Sequence, residues 1–282
     1  CSSPGSQEME GRRAPPMVNL PTIGLASESS MTGSPRSWKP VVIVVPCFNE
    51  KERLVLREFD TFAEDHDRIG FLFVDDGSTD GTEDLIRDYG SGSSGALRFL
   101  KLERNRGKGE AVRIGLNEAL QWSPTIVGFW DADLSTPLYE LPPMLEILEN
   151  KSQLQLVLAS RVQLLGRQMD RKGSRHYLGR FFATGASLTL EMPVYDTQCG
   201  AKVFRVTPIL RSVLGAEFLS RWIFDIELIS RFAKLLGTED LSWIEEYPLW
   251  RWTDVAGSKL RLVDFIVAVR DLARIWRARR TQ

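Results

Sequence analysis

Thr125-Ile126-Val127-Gly128-Phe129-Trp130-Asp131-Ala132-Asp133 is an apolar run that ends abruptly in two carboxylates one residue apart. Two acids at the carboxyl end of a buried strand are costly to desolvate unless a cation sits between them. A divalent metal carrying a phosphorylated ligand would meet that need with hard oxygen donors. A solvated turn would meet it too, with the acids capping a helix that starts near Pro137, because turns favour Asp. The pair alone leaves both readings open, and the neighbouring strand ends choose between them.

From Val41 onward, apolar runs of strand length alternate with helical stretches in the manner of repeated βα units. The pattern predicts strands over Val41–Val45, Phe71–Val74, Leu97–Leu102, Thr125–Trp130 and Leu154–Ala159, with helices near Glu50–Asp65, Thr82–Tyr89, Gly109–Trp122 and Leu138–Asn150. Strands that are apolar throughout fit a mainly parallel sheet covered on both faces. Such sheets bind ligands outside the carboxyl ends of their strands. Here those ends carry Pro46-Cys47-Phe48-Asn49-Glu50, then Asp75-Asp76-Gly77-Ser78-Thr79-Asp80-Gly81, then Glu103-Arg104-Asn105-Arg106-Gly107-Lys108-Gly109, and after the fifth strand Ser160-Arg161. Independent loops seldom place so many polar clusters on one sheet edge.

The 282 residues accommodate one large α/β domain or two small ones. Hydrophobic residues at 43% and charged residues at 26% describe an ordinary globular composition. The formal net charge of -1 lacks the basic signature of wholesale nucleic-acid binding, so no nucleic-acid partner is expected. Cys1, Cys47 and Cys199 are too few and too scattered for a disulfide framework or a zinc site, which points to a reducing compartment. No apolar run approaches the roughly 20 residues that cross a bilayer, so any membrane contact is expected to be peripheral. Residues 1–40, rich in Ser, Pro and Gly, read as a disordered leader, with Met31 a natural starting point.

Pro-x-x-Asn-Glu, Val-Asp-Asp-Gly-Ser-x-Asp-Gly-Thr, Asn-x-Gly-Lys-Gly-x-Ala and Asp-Ala-Asp, in this order and spacing, resemble family 2 inverting glycosyltransferases of the GT-A fold. Asp196-Thr197-Gln198-Cys199-Gly200-Ala201-Lys202, and Trp252 followed by Gly257-Ser258-Lys259, are similar to dolichyl-phosphate β-glucosyltransferases and their bacterial polyprenyl-phosphate relatives. The resemblance spans about Pro40 to Arg274. It implies an α/β, Rossmann-like GT-A domain over 41–260 with a mainly parallel sheet flanked by helices, followed by a basic amphipathic C-terminal helix over 261–282. It further implies an enzyme that transfers a sugar, glucose from UDP-glucose, to a polyprenyl phosphate at the cytoplasmic membrane face.

The resemblance assigns Pro46, Asn49 and Glu50 to the wall that packs on the nucleotide base, and Asp76 to the base N–H of uracil. An ionised carboxylate accepts without donating, which suits that role. Asp75, Ser78 and Thr79 have a structural reading as turn formers, and Asp80 as a helix cap. Gly107 and Lys108 lie in a glycine-rich basic loop whose backbone can approach phosphate while the lysine adds charge; a plain helix-start turn also accounts for the glycines. By analogy Asp131 and Asp133 hold Mg²⁺ or Mn²⁺ against the diphosphate, with Asp131 also near the ribose. Ser135 stands where some mannosyltransferase relatives have Gln, which departs from the mannose pattern.

The segment with Arg161, Arg167, Arg171, Lys172, Arg175 and Arg180 is opposed only by Asp170. It reads either as a solvated basic face or as an acceptor site, since arginine forks match phosphate. Relatives acting on lipid phosphate carry arginines at Arg161 and Arg175, whereas their next phosphate contact, a serine, is Gly179 here. Asp196 corresponds to the residue proposed as base or acceptor-positioning group. Cys199 has no neighbouring histidine and reads as a packing thiol, and His66 and His176 share no ligand spacing. From Leu260 an apolar-faced helix carries a basic polar side, the pattern of an interfacial helix or of an ordinary packed one. Three rival functions remain: transfer to a saccharide hydroxyl, GDP-mannose as donor, and a binding module without turnover. A nucleotidyltransferase would need a Gly-Gly-x-Gly-Thr-Arg loop, and Pro46–Glu50 does not resemble one.

Overall fold

Val41-Val42-Ile43-Val44-Val45-Pro46-Cys47 forms β1, and its first five residues have no exposed surface. Branched side chains fill both faces of this strand, which places it in the middle of a sheet. The computed structural model describes residues 37–90, 94–170, 185–255 and 262–280. The strands that follow are β2 (Ile69–Asp75), β3 (Leu97–Lys101), β4 (Ile126–Trp130), β5 (Leu156–Ser160), β6 (Gln168–Asp170), β7 (Ala201–Arg205), β8 (Ile244–Pro248) and β9 (Arg251–Thr253). Seven of them form one sheet in the order β3-β2-β1-β4-β7-β5-β8, and β6 pairs with β9 in a separate parallel ribbon.

Helices α1 (Leu56–Asp65), α2 (Thr82–Gly90) and α4 (Leu141–Asn150) contribute Phe59, Ile86, Met144 and Leu148 to the core on one face. On the other face α3 (Lys108–Ala119), α5 (Pro208–Val213), α6 (Phe224–Leu236) and α7 (Leu262–Arg280) cover Val42, Val44, Phe129 and Phe204. This is the expected GT-A arrangement, a mostly parallel sheet between helical layers. Two helices begin later than predicted. Glu50 to Leu54 form a turn, with Arg53 and Leu54 N–H donating to the Glu50 carbonyl, so α1 begins only at Leu56. Leu138–Glu140 form a 3₁₀ turn before α4.

The leader boundary at residue 40 needs correction. Trp38 meets the edge of Trp122 with ring centroids 5.0 Å apart, and the Arg98 guanidinium lies 4.3 Å from both rings. Trp38 Nε1 also donates to the Gly95 carbonyl at 3.2 Å, so tertiary contacts begin by Trp38. The rest of the proposed leader, 1–36, lies outside the described residues. At the other end, α7 buries Ala268, Asp271 and Ile275 against the core while leaving Val269 and Trp276 partly exposed.

Strand β7 has no counterpart among the predicted strands. It runs antiparallel between β4 and β5, and its second residue, Lys202, is fully buried. A lysine inside a short apolar run hides a central strand from pattern reading. Its ammonium donates to the Cys199 carbonyl and to Asp225 Oδ1, each at 2.6 Å, and lies 5.1 Å from the Phe129 ring. Burial raises the Asp225 pKa above the ordinary range, while Lys202 and Lys108 pull against that rise. Removing one member of a buried pair strands the other without its partner. Lys202→Ala should therefore lower stability by about 3–5 kcal/mol in chemical denaturation, whereas a loss below about 1 kcal/mol would show that water replaces the ammonium.

Candidate active site

The loops after β1 and β2 are tied to each other. Asn49 adopts a left-handed backbone with φ of 53°; its N–H donates to Ser78 Oγ at 2.9 Å, and its Oδ1 accepts from Thr79 N–H at 2.8 Å. Glu50 N–H donates to Thr82 Oγ1 at 2.9 Å. Asp75 closes the turn by accepting from Ser78 N–H, and Asp80 accepts from Thr82 N–H at the start of α2, so the turn and cap readings hold for these residues. Pro46 lies part-buried at the end of β1.

Asp76 is 2% exposed. Its two oxygens accept from the backbone N–H groups of Arg106 and Gly107, at 2.6 and 2.7 Å. Its observed work is thus to hold the glycine-rich loop against β2, although each carboxylate oxygen has a second lone pair for a ligand. Burial raises the Asp76 pKa, and the two N–H bonds oppose the rise. Gly107 has φ of 95° and would drive an added Cβ into Arg221, 2.7 Å from Nε, so this turn favours glycine on two counts. Arg221 donates through Nε to the Arg106 carbonyl at 3.1 Å and contacts Asn105 Oδ1. Nothing in the sequence marks this arginine, which lies more than a hundred residues beyond the loop it holds.

Asp131 and Asp133 stand at the end of β4, partly exposed as a ligand-binding pair requires. Lys108, the first residue of α3, places Nζ 2.6 Å from Asp131 Oδ1. Burial works against the Lys108 charge, but Asp131, Asp225 and Asp133 outweigh it and hold its pKa above the ordinary lysine value. Asp133 Oδ1 accepts from Ser135 N–H at 3.0 Å. Asp131 N–H donates to the Gly200 carbonyl at 2.9 Å, and an added Cβ at Gly200 would lie 1.9 Å from Asp131 Oδ2. Gly200 is therefore the floor on which the Asp131 carboxylate rests. No group of three or more His, Cys, Asp or Glu side chains suited to a metal occurs among the described residues. A cation here would take Asp131 and Asp133 from the protein and its remaining oxygens from ligand and water, a donor set that suits Mg²⁺ or Mn²⁺.

Arg161 and Asp196 meet as a fork. Arg161 Nε donates to Asp196 Oδ2 at 2.7 Å, Nη2 to Oδ1 at 2.8 Å, and the Arg161 backbone N–H to Oδ2 at 3.0 Å. Burial opposes the guanidinium charge, but Asp196 overrides it, Asp131 adds to the effect, and the pKa stays well above the ordinary arginine value. The field of Asp131 thus reaches Arg161. The Arg161 guanidinium also lies 5.3 Å from the Trp252 ring. Glu246 on β8 accepts from the N–H groups of Tyr195 and Asp196, both at 2.9 Å. Gln198 Nε2 is a buried donor with no acceptor among the described residues. Burial pushes the Cys199 thiol up to about 11, which agrees with a packing role. His66 is occupied by the Phe62 carbonyl and ring. Arg175, with Arg171, Lys172, His176, Gly179, Arg180, Gly257, Ser258, Lys259 and Arg261, lies outside the described residues.

Residues 42–209 match glycosyl transferase family 2. The chain belongs to this family. It is 30% identical over 233 residues to a dolichyl-phosphate beta-glucosyltransferase of Dictyostelium discoideum, a match covering 77% of this chain and 68% of that one. It is 28% identical over 217 residues to the dodecaprenyl-phosphate galacturonate synthase of Rhizobium johnstonii, covering 73% and 61% respectively. The fold of this glycosyltransferase is similar to that of glucosyl-3-phosphoglycerate synthase from Mycobacterium tuberculosis, solved with Mn²⁺, UDP and phosphoglyceric acid. That similarity has a TM-score of 0.60 at 22% identity and covers 86% of this chain and 78% of the other.

Asp131 cannot keep its position if Gly200 gains a methyl group. Gly200→Ala in this glycosyltransferase should lower kcat by roughly 10²-fold, the scale on which a displacement of about 1 Å acts. Its melting temperature should fall by no more than about 4 °C. An unchanged kcat would show that the Asp131 carboxylate moves without consequence.

Proposed function

We propose that this glycosyltransferase moves glucose from UDP-glucose to the phosphate of a polyprenyl phosphate, with inversion at the anomeric carbon. An acceptor phosphate oxygen attacks C1, the bond from C1 to the UDP oxygen breaks, and UDP leaves as a β-linked lipid phosphosugar forms. The family and the lipid-phosphate relatives support this reading. The observation that carries it is the Arg161–Asp196 fork. A carboxylate bound by two arginine N–H groups is a weak base, and a saccharide hydroxyl acceptor needs a base at neutral pH. A phosphate acceptor arrives already ionised. What it needs is positive charge, and Arg161 is held protonated beside the donor pocket.

In this reading Pro46, Asn49 and Glu50 form the base wall, while Asp76 sets the glycine-rich loop and offers its remaining lone pairs to the base. Lys108 counters diphosphate charge from the start of α3. Asp131 and Asp133 hold a divalent cation, Mg²⁺ or Mn²⁺, which when bound neutralises charge developing on the leaving diphosphate. Asp196 acts as a positioning residue for Arg161, with Arg175 assigned to the same acceptor phosphate by resemblance. The buried Gln198 amide is available to a sugar or phosphate oxygen. The reaction takes place at a membrane surface, cytoplasmic in this reading, because the acceptor is a lipid. No helix among the described residues is long and apolar enough to cross a membrane.

Incubation with UDP-glucose, Mg²⁺ and a short-chain polyprenyl phosphate should yield glycolipid and UDP in equal amounts by chromatography. Product only from GDP-mannose would replace the donor, and product only with saccharide acceptors would replace the acceptor. No product from any UDP- or GDP-sugar would overturn the reading altogether. A second measurement separates positioning from base catalysis. Asp196→Asn should weaken acceptor binding, seen as a raised acceptor KM, and leave the acid limb of the kcat/KM pH profile unmoved. Loss of a carboxylate limb in that variant would identify Asp196 as a base.

A further inference from the structure

The β6–β9 ribbon displays a group of side chains that neither the core nor the donor pocket uses. Leu165 is completely exposed, and Leu164, Trp250 and Tyr139 are each about half exposed. They are not a loose fringe. Arg167 N–H donates to the Leu164 carbonyl at 3.1 Å, closing a tight turn that points two leucines outward. The Arg167 guanidinium lies 3.6 Å from the Trp250 ring and donates through Nη1 to the Pro248 carbonyl at 2.8 Å. Trp250 and Arg251 both donate backbone N–H to Glu140 Oε1 at 2.9 Å, and the Trp250 carbonyl accepts from Gln168 N–H at 2.9 Å. Glu140 itself has no exposed surface. A fully buried carboxylate is thus committed to fixing a corner whose tryptophan stands in solvent.

We propose that this tip, Leu164, Leu165 and Trp250 with Arg167 and Arg251 at its rim, enters the head-group layer of an anionic lipid bilayer and presents the acceptor side of the site to it. The inference rests on the lipid-phosphate reading of that site and names the surface that meets the membrane. Three observations carry it. The chemistry suits an interface: tryptophan and tyrosine settle at head-group level, and arginine stems lie along apolar surface while their charge meets anionic head groups. The tip projects, with Leu165 exposed along its whole side chain, as insertion of apolar groups into a lipid interface requires. It is also continuous with the acceptor side. Trp252, two residues beyond Trp250, lies beneath Arg161, and two extended residues span about 7 Å. A head-group layer is roughly 5–7 Å deep. With the tip inserted, Arg161 stands at the level where a lipid phosphate lies, so the acceptor need not leave its bilayer.

The test is co-sedimentation of the full chain with phosphatidylcholine vesicles containing phosphatidylglycerol, comparing the wild type with the Leu164→Ser/Leu165→Ser/Trp250→Ser variant. The wild type should bind, and the variant should lose about tenfold or more in vesicle affinity, equivalent to about 1.4 kcal/mol. Its turnover of a short-chain acceptor in detergent should stay at the wild-type level. Absence of wild-type binding, or equal binding by the variant, would overturn the proposal. So would a variant that changes oligomeric state in light scattering while binding vesicles normally, since a second copy would then be the occupant. If the triple variant does not fold by circular dichroism, Leu165→Ser alone, at a side chain with no packing to lose, takes its place and should weaken binding measurably. Vesicle binding is read without turnover. A wild type that binds vesicles yet glycosylates no polyprenyl phosphate would refute the acceptor reading and leave the membrane surface standing.

Discussion

The arrangement of the site depends on one buried ion pair. Lys202, with no exposed surface, holds the carbonyl of Cys199 and the carboxylate of Asp225 together. That contact ties the end of the 196–200 loop to the first turn of α6 and pins β7 between β4 and β5. Burying a charged pair is weakly stabilising at best compared with apolar packing. Its value lies in position, because no apolar residue would specify where the loop ends. With the loop so placed, Gly200 comes beneath Asp131 and Asp196 comes within reach of Arg161.

Charges alternate along the carboxyl edge of the sheet. Lys202 faces Asp225, Lys108 faces Asp131 with Asp225 and Asp133 close enough to support its charge, and Arg161 faces Asp196 within the field of Asp131. Each of these groups sits in a partly or fully desolvated place beside a neighbour of the opposite sign, which offsets the cost of burying its charge. An anionic donor and an anionic acceptor can both be accommodated in such a row, since the lysine and arginine members offset the carboxylates. The chain's net charge of -1 hides this local order entirely. The functional charge is a matter of arrangement, not of composition.

Much of this was legible beforehand because local patterns encoded it. Doubly apolar strands read as a parallel sheet, and polar clusters after β1 to β4 read as one edge. Gly77, Gly81 and Gly107 all have positive φ, and each falls within a polar cluster that the sequence placed at a strand end. The unread parts share a cause. Strand β7 contains a lysine whose partner comes from another helix, and the ordered Trp38 sits in a stretch whose composition signals disorder. Arg221 holds a loop more than a hundred residues earlier in the chain. The commitment of Asp76 to backbone N–H groups was equally invisible, because a carboxylate awaiting a ligand and one already engaged look alike in sequence.

The sequence by itself determined the family and the α/β class and supplied the residues proposed for the donor side, because strand periodicity, turn glycines and motif spacing are local properties of the chain. Only the tertiary structure decided which of those residues cooperate. It joined Asp196 to Arg161 across 35 positions, set Gly200 under Asp131, and raised Trp250 out of the core on a buried glutamate. Partners of this kind are selected by three-dimensional packing and by the cost of leaving a buried charge alone, and neither quantity is written in any single stretch of the chain.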